Sequence, residues 1–126
     1  MSTTLWQRLE AAGLAVLAVT ALVLAGYAWW WPFVLFLVFD LAALGYLAGP
    51  RTGAFCYNAV HSWLGPAAAI TLALVLRSAG APSVPLEVAA GSWAFHIAAD
   101  RALGYGLKEV TSFSDTHLGR IGRASK

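Results

Sequence analysis

Asp40, His61, His96 and Asp100 are set in otherwise apolar stretches of this chain, and side chains of this kind cost on the order of 3 kcal/mol each when a helix carries them into a bilayer. Such residues need a reason. Imidazole with carboxylate, in the absence of thiolate, is a donor set suited to zinc, manganese or iron. A divalent metal held by two histidines and an aspartate lowers the pKa of a bound water for hydrolysis. Without metal the same groups pass protons, because imidazole titrates near physiological pH and a neighbouring carboxylate shifts both values. Spacing does not separate these two chemistries. His96 and Asp100 are four residues apart and share one helical face, as do Tyr57 and His61, with Asn58 on the adjacent stripe. His-x3-Asp is less specific than a His-Glu-x-x-His zinc motif.

The expected ligands are Asp40, His61 and His96, joined by His117 if the tail segment Asp115-Thr116-His117 folds back under the bundle. Asp100 is expected to orient His96 or act as a base, and Arg101 to hold an anionic lipid headgroup or phosphate. Each assignment has a plainer rival. Asp100 and Arg101 are also placed to snorkel to an interface, either membrane histidine to bridge helices by a hydrogen bond, and His117 to sit in a solvated tail. Asp40 resists such an account, since Val38, Phe39, Leu41 and Ala42 flank it and no cation lies nearby in sequence.

The elements that must position these residues follow from composition. With 126 residues, 60% of them hydrophobic and 11% charged, the chain has too little polar surface to cover a soluble globule, and its length allows one domain. A spanning helix needs about 20 mostly apolar residues. Four such spans are read, at about 5–26, 32–48, 53–77 and 84–104, followed by a polar tail over 105–126. The first resembles a signal-peptide core, with Gly26-Tyr27-Ala28 as a passable cleavage site, but retention is the preferred reading. Trp29, Trp30 and Trp31 form an interfacial aromatic belt before Pro32. Pro50 ends the second span within the turn Gly49 to Gly53, Pro66 kinks the third, and Ser78 to Pro85 closes the last hairpin. The Gly45, Gly49, Gly53 run is better explained by that turn than by helix packing.

The net charge of +2 does not indicate nucleic acid, because the basic residues flank apolar segments instead of forming a stripe interleaved with aromatics. They report topology. With both termini cytosolic, Arg8, Arg51, Arg101, Lys108, Arg120, Arg123 and Lys126 lie inside and only Arg77 outside. Cys56 is alone, so no intrachain disulfide forms. Depth then singles out one layer: Asp40 precedes Ala48 by eight residues, His61 follows Gly53 by eight and His96 precedes Gly104 by eight. At helical rise all three lie about 12 Å in from the cytosolic boundary.

The blocks Asp40-Leu-Ala-Ala-Leu-Gly-Tyr-Leu-Ala-Gly-Pro-Arg-Thr-Gly53, Tyr57-Asn58 with His61, His96 to Lys108, and Phe113 to Gly122 together resemble a family of small multi-pass bacterial membrane proteins, the domain of unknown function numbered 4260. The resemblance covers nearly the whole chain. It implies the membrane class and points at the same polar positions without naming a reaction. The expected architecture is therefore all-α: an integral membrane four-helix bundle with both termini cytosolic and the basic tail packed on the cytosolic face. A bacterial inner membrane, lipid contacts and a homo-oligomer fit it. The leading functional expectation is a metal-dependent, hydrolase-like membrane enzyme acting on a lipid or other membrane-associated substrate. The alternatives are a proton- or ion-coupled carrier or channel subunit, and a structural membrane protein without chemistry.

Overall fold

The computed structural model describes residues 1–122, so the expected basic contribution of Arg123 and Lys126 lies outside the described residues. The first helix, α1, runs Thr3–Leu24, capped by the Ser2 hydroxyl accepting from the Leu5 N–H at 3.2 Å. The second span is built in three pieces: α2 Trp31–Val34, α3 Phe36–Asp40 and a 3₁₀ helix Leu41–Ala48. Two further helices, α4 Pro50–His61 and α5 Leu64–Ser78, follow one another, and α6 runs Val84–Leu103. Pro32, Pro50 and Pro85 all stand in first turns, where their missing N–H has no helical partner to lose. Gly104, at φ +98°, terminates α6 in the left-handed conformation that a side chain would resist.

Three stretches, Thr3–Leu24, Trp31–Ala48 and Pro50–Ser78, are long and apolar enough to cross a membrane. Their outward faces expose residues such as Val16, Leu24, Leu37, Leu47, Phe55 and Leu64, a surface that suits hydrocarbon and not water. The helix expected as the fourth span does not meet the same measure of apolarity, since Glu87, Asp100 and Arg101 interrupt it. It is instead the axis of the bundle. Helices α1, α2, α3 and α5 all pack on α6, whose buried residues include Ala90, Ser92, His96, Ile97, Ala98 and Asp100. A helix shielded from lipid by its neighbours can carry polar groups that an outer helix cannot.

The second span shows why a regular helix was not the whole story. Eight residues of 3₁₀ helix at about 2.0 Å rise, added to ten at about 1.5 Å, reach about 31 Å, close to the thickness of the hydrocarbon core. The 3₁₀ helix also lies unusually close to α4. A Cβ on Gly45 would come within 2.7 Å of the Cys56 Cβ, and one on Gly53 would enter the Tyr46 ring. Gly45 and Gly53 thus serve close packing, contrary to the turn-only reading, while Gly49 at φ +110° does make the turn.

The third span is broken, not kinked at Pro66. Helix α4 stops at His61, Ser62 is extended at ψ 154°, and α5 begins at Leu64. Pro66 still explains the position, because its ring excludes the carbonyl four residues earlier, which is that of Ser62. The freed carbonyls at the end of α4 are taken up by side chains of α6. Trp93 Nε1–H donates to the Val60 carbonyl at 2.6 Å, and the Arg101 guanidinium to the His61 carbonyl at 3.0 Å.

After α6 the chain returns across the end of the bundle that holds the start of α1, where Arg8 Nε donates to the Ala102 carbonyl at 2.8 Å. The tail is clamped by Asn58, whose amide donates to the Lys108 carbonyl at 2.8 Å and accepts from the Lys108 N–H at 2.7 Å. It also forms a two-stranded antiparallel ribbon, β1 Asp115–Thr116 with β2 Gly119–Arg120, a small addition to the all-α architecture. Packing of the tail on the bundle agrees with the expectation. At the other end Arg77 lies 3.4 Å from Glu87, which also accepts from Tyr27 and Ser83 at 2.6 Å each.

Candidate metal centre

Three helices deliver four ligand-type groups to a single point. Asp40 ends α3, His61 ends α4, and His96 and Asp100 stand one turn apart on α6. One donor atom from each of the four lies within 4.8 Å of every other. The two imidazoles face each other through Nε2 at 2.9 Å. Asp40 Oδ1 is 3.5 Å from His61 Nε2 and 3.4 Å from His96 Nε2, and Asp100 Oδ2 is 3.5 Å from each. Metal–ligand bonds of about 2.0–2.2 Å in tetrahedral geometry place neighbouring donors about 3.3–3.6 Å apart. The four histidine–aspartate separations fall within that range. Only the contact between the imidazoles is shorter, and it would open by about 0.4 Å around an ion.

The ring orientations are held from behind. His61 Nδ1 lies 3.0 Å from the Tyr57 carbonyl, a geometry in which Nδ1–H donates and Nε2 is left as the lone-pair nitrogen. The Tyr57 ring stacks on the His61 ring at 3.7 Å and 6°, and its hydroxyl donates to Asp100 Oδ2 at 3.3 Å. His96 is completely buried and touches Phe36 and Phe39, with ring centroids at 4.4 and 5.4 Å. Burial is uneven around the ring of four: His61, His96 and Asp100 are enclosed, whereas 40% of the Asp40 side chain is exposed. The site therefore has three sheltered donors and one on an open side.

Two acidic side chains this close together, beside two imidazoles, favour positive charge nearby. Some comes from Lys108, which is buried with its Nζ free of any hydrogen-bond partner among the described residues. That ammonium group lies 3.8 Å from the Phe113 ring centroid and 4.8 Å from that of Tyr57. Burial pushes its pKa below the ordinary lysine value. A divalent cation at the centre would supply the remainder.

His117 does not join the group. Its Nδ1 accepts the Leu107 N–H at 2.8 Å and lies 3.3 Å from Arg101 Nη1. A ring already engaged by a guanidinium is a poor ligand for another cation. Desolvation first, and the Arg101 charge second, hold its pKa below the ordinary 6.5. A histidine kept neutral in the folded protein contributes stability that is complete above its unfolded pKa and is lost as pH falls toward the folded one. The tail is accordingly expected to loosen on acidification below about pH 6.5. Amide-exchange protection at Leu107, corrected for the intrinsic pH dependence of exchange, should fall from pH 7.5 to pH 5. Protection that stays constant would contradict this account of His117.

The sequence reading brought Asp40, His61 and His96 to one layer, with Asp100 one helical turn from His96 in a shallower one, and the structure joins all four. It gave no role at the site to Tyr57, Lys108 or Trp93. Tyr57 was accessible in principle, being one turn before His61 on the same face. Lys108 carried no signal, because a lysine in a basic tail reads as solvated.

The arrangement is that of a polytopic helical membrane protein whose buried axis carries a two-histidine, two-aspartate cluster. Residues 4–121 match the family described as Domain of unknown function (DUF4260), and the chain belongs to that family. No curated protein and no solved structure matches it.

Proposed function

We propose that the protein is a metal-dependent membrane enzyme, hydrolase-like, acting on a lipid or another membrane-associated substrate. The observation that carries this reading is the convergence of four donor atoms from three separate regions of the chain to within 4.8 Å of one another, with the histidine–aspartate separations at 3.4–3.5 Å and one donor on an open side. Zinc suits that spacing best, with manganese and iron as the other candidates for the same donors. The burial pattern favours a change in the roles first assigned to the two aspartates. Asp100, enclosed and bonded by Tyr57, is the fixed ligand beside His61 and His96, leaving Asp40 as the exchangeable fourth ligand or as the base that takes a proton from an activated water. We place the site in the cytosolic half of a bacterial inner membrane, on the distribution of Lys and Arg.

Elemental analysis of the detergent-purified protein tests this directly. About one divalent ion per chain is expected in the wild type, strongly reduced in His61→Ala and partly retained in Asp40→Asn. Metal near zero in all three would overturn the enzyme reading. It would transfer weight to a proton relay, which the 2.9 Å contact between imidazoles also suits. In that case proton flux in proteoliposomes should be abolished by His61→Ala.

A further inference from the structure

Two pockets adjoin beside the cluster and differ in character. One is a groove of about 380 Å³ between α1 and α5, floored by α6. Both outer helices lean on α6 and scarcely touch each other. Leu14, Leu17, Ala18, Ala21, Leu22 and Ala25 present one face of α1 to it, and Ala73, Ala90 and Ala94 keep it open. The other, about 300 Å³, lies at the end of the bundle where Arg101 and His117 meet the N-terminal turns of α1. Leu14 and Trp63 line both, so the apolar groove runs directly into the cationic pocket.

Arg101 is the centre of the second pocket. It donates to a carbonyl, lies against the His117 imidazole and has no carboxylate within ion-pair distance among the described residues. A partly buried guanidinium without a counter-anion, presenting a planar fork, is suited to phosphate. Gln7 and Glu10 also border this pocket. Both are exposed and lie on α1, opposite Arg101, so Glu10 is the feature that weighs against a large negative charge. The groove's length supplies the rest. From Leu14 to Ala25 the helix rises about 16 Å, roughly half of a hydrocarbon core about 30 Å thick and so the reach of one acyl chain, and Tyr27, Arg77 and Glu87 close the far end.

We propose that the adjoining pockets form a binding site for one phospholipid, its phosphate held by Arg101 beside His117 and one acyl chain lying in the groove between α1 and α5. Because Arg101 also bonds the carbonyl of His61, the headgroup is then anchored next to a metal ligand. Treating this lipid as substrate rests on the enzyme reading above; the binding itself does not.

Native mass spectrometry of the delipidated protein, titrated with phosphatidylglycerol or with diacylglycerol of the same chains, provides the test. One phosphatidylglycerol per chain is expected, bound at least ten-fold more tightly than diacylglycerol. Arg101→Ala should remove most of that preference, and Ala21→Trp, which fills the groove from an exposed position, should weaken both lipids. Millimolar inorganic phosphate should not displace the bound lipid. Equal binding of the two lipids, displacement by phosphate alone, or an unchanged affinity in Ala21→Trp would overturn the proposal. So would a dimer whose dissociation by Ala21→Trp accounts for the groove. Metal content measured on the wild type and Ala21→Trp separates this outcome from failure of the metal centre, since Ala21 lines only the groove and Arg101 also supports the His61 carbonyl.

Discussion

Alanine in place of His96 is expected to abolish the proposed metal binding and to destabilise the protein by about 3–5 kcal/mol, the range for removing one partner of a buried polar cluster or a large buried side chain. His96 is fully buried, its Nε2 faces three other donors, and Phe36 and Phe39 close over its ring. The substitution opens a cavity on the axial helix and leaves two carboxylates facing a single imidazole. In thermal unfolding the midpoint should fall by about 10–20 °C. Added zinc should raise the wild-type midpoint and leave that of His96→Ala unmoved, because only a folded state that binds the ion is stabilised by mass action. His96→Gln, which keeps much of the volume, should recover part of the thermal loss without recovering the zinc response. A His96→Ala protein that melts with the wild type and holds the same metal would end the case for a shared centre.

How this centre could be seen from sequence depends on which distances helices preserve. Asp40, His61 and His96 stand at equal counts from three estimated span ends, and counting is reliable wherever rise per residue is fixed, so their common depth survived the errors in the boundaries. Helix α3 meets the 3₁₀ helix at Asp40 without displacing it from that layer. The break after His61 was less legible. Pro66 announces a disturbance, but its steric effect falls on the carbonyl four residues back, and whether the helix bends or separates depends on what receives the released carbonyls. Here the receivers are Trp93 and Arg101, far along the chain. His117 illustrates the converse. Its approach to the bundle followed from the tail's composition, whereas its partner was decided by Arg101 and the Leu107 N–H, which spacing does not encode. The buried ammonium of Lys108 is likewise a product of tertiary packing, through the Asn58 clamp on its backbone and the two rings around its head.

The break and the His/Asp cluster are one construction. If α4 continued unbroken into α5, the Val60 and His61 carbonyls would bond within the helix and Trp93 and Arg101 would lose their acceptors. Non-helical backbone at membrane depth is tolerated where it is covered by protein or lines a cavity, and this break is covered by α6 on the side of the cluster. The side chains that satisfy the break also fix the neighbours of two proposed ligands. Trp93 bonds Val60, the residue before His61, and stacks at 5.6 Å and 12° on Phe39, the residue before Asp40.

That double role makes a single methyl group at position 65 costly. Gly65 lies where α5 begins, and a Cβ there would enter the space of the Trp93 indole. The indole has little freedom to yield, being tied by its 2.6 Å hydrogen bond on one side and by Phe39 on the other. Gly65→Ala is expected to destabilise the protein by about 1–3 kcal/mol, as overpacking does. It should also weaken metal binding about 10- to 100-fold, as loss of an outer-shell support does. Gly13→Ala provides the control: nothing lies within 4 Å of a Cβ at that site on α1, so alanine there should leave both quantities unchanged or add slightly to stability. The decisive measurement is zinc affinity by competition with a chelator, run on both variants beside the wild type. If Gly65→Ala binds zinc as the wild type does while losing stability, the indole supports only the packing, and the link from the helix break through Trp93 to His61 and Asp40 must be given up.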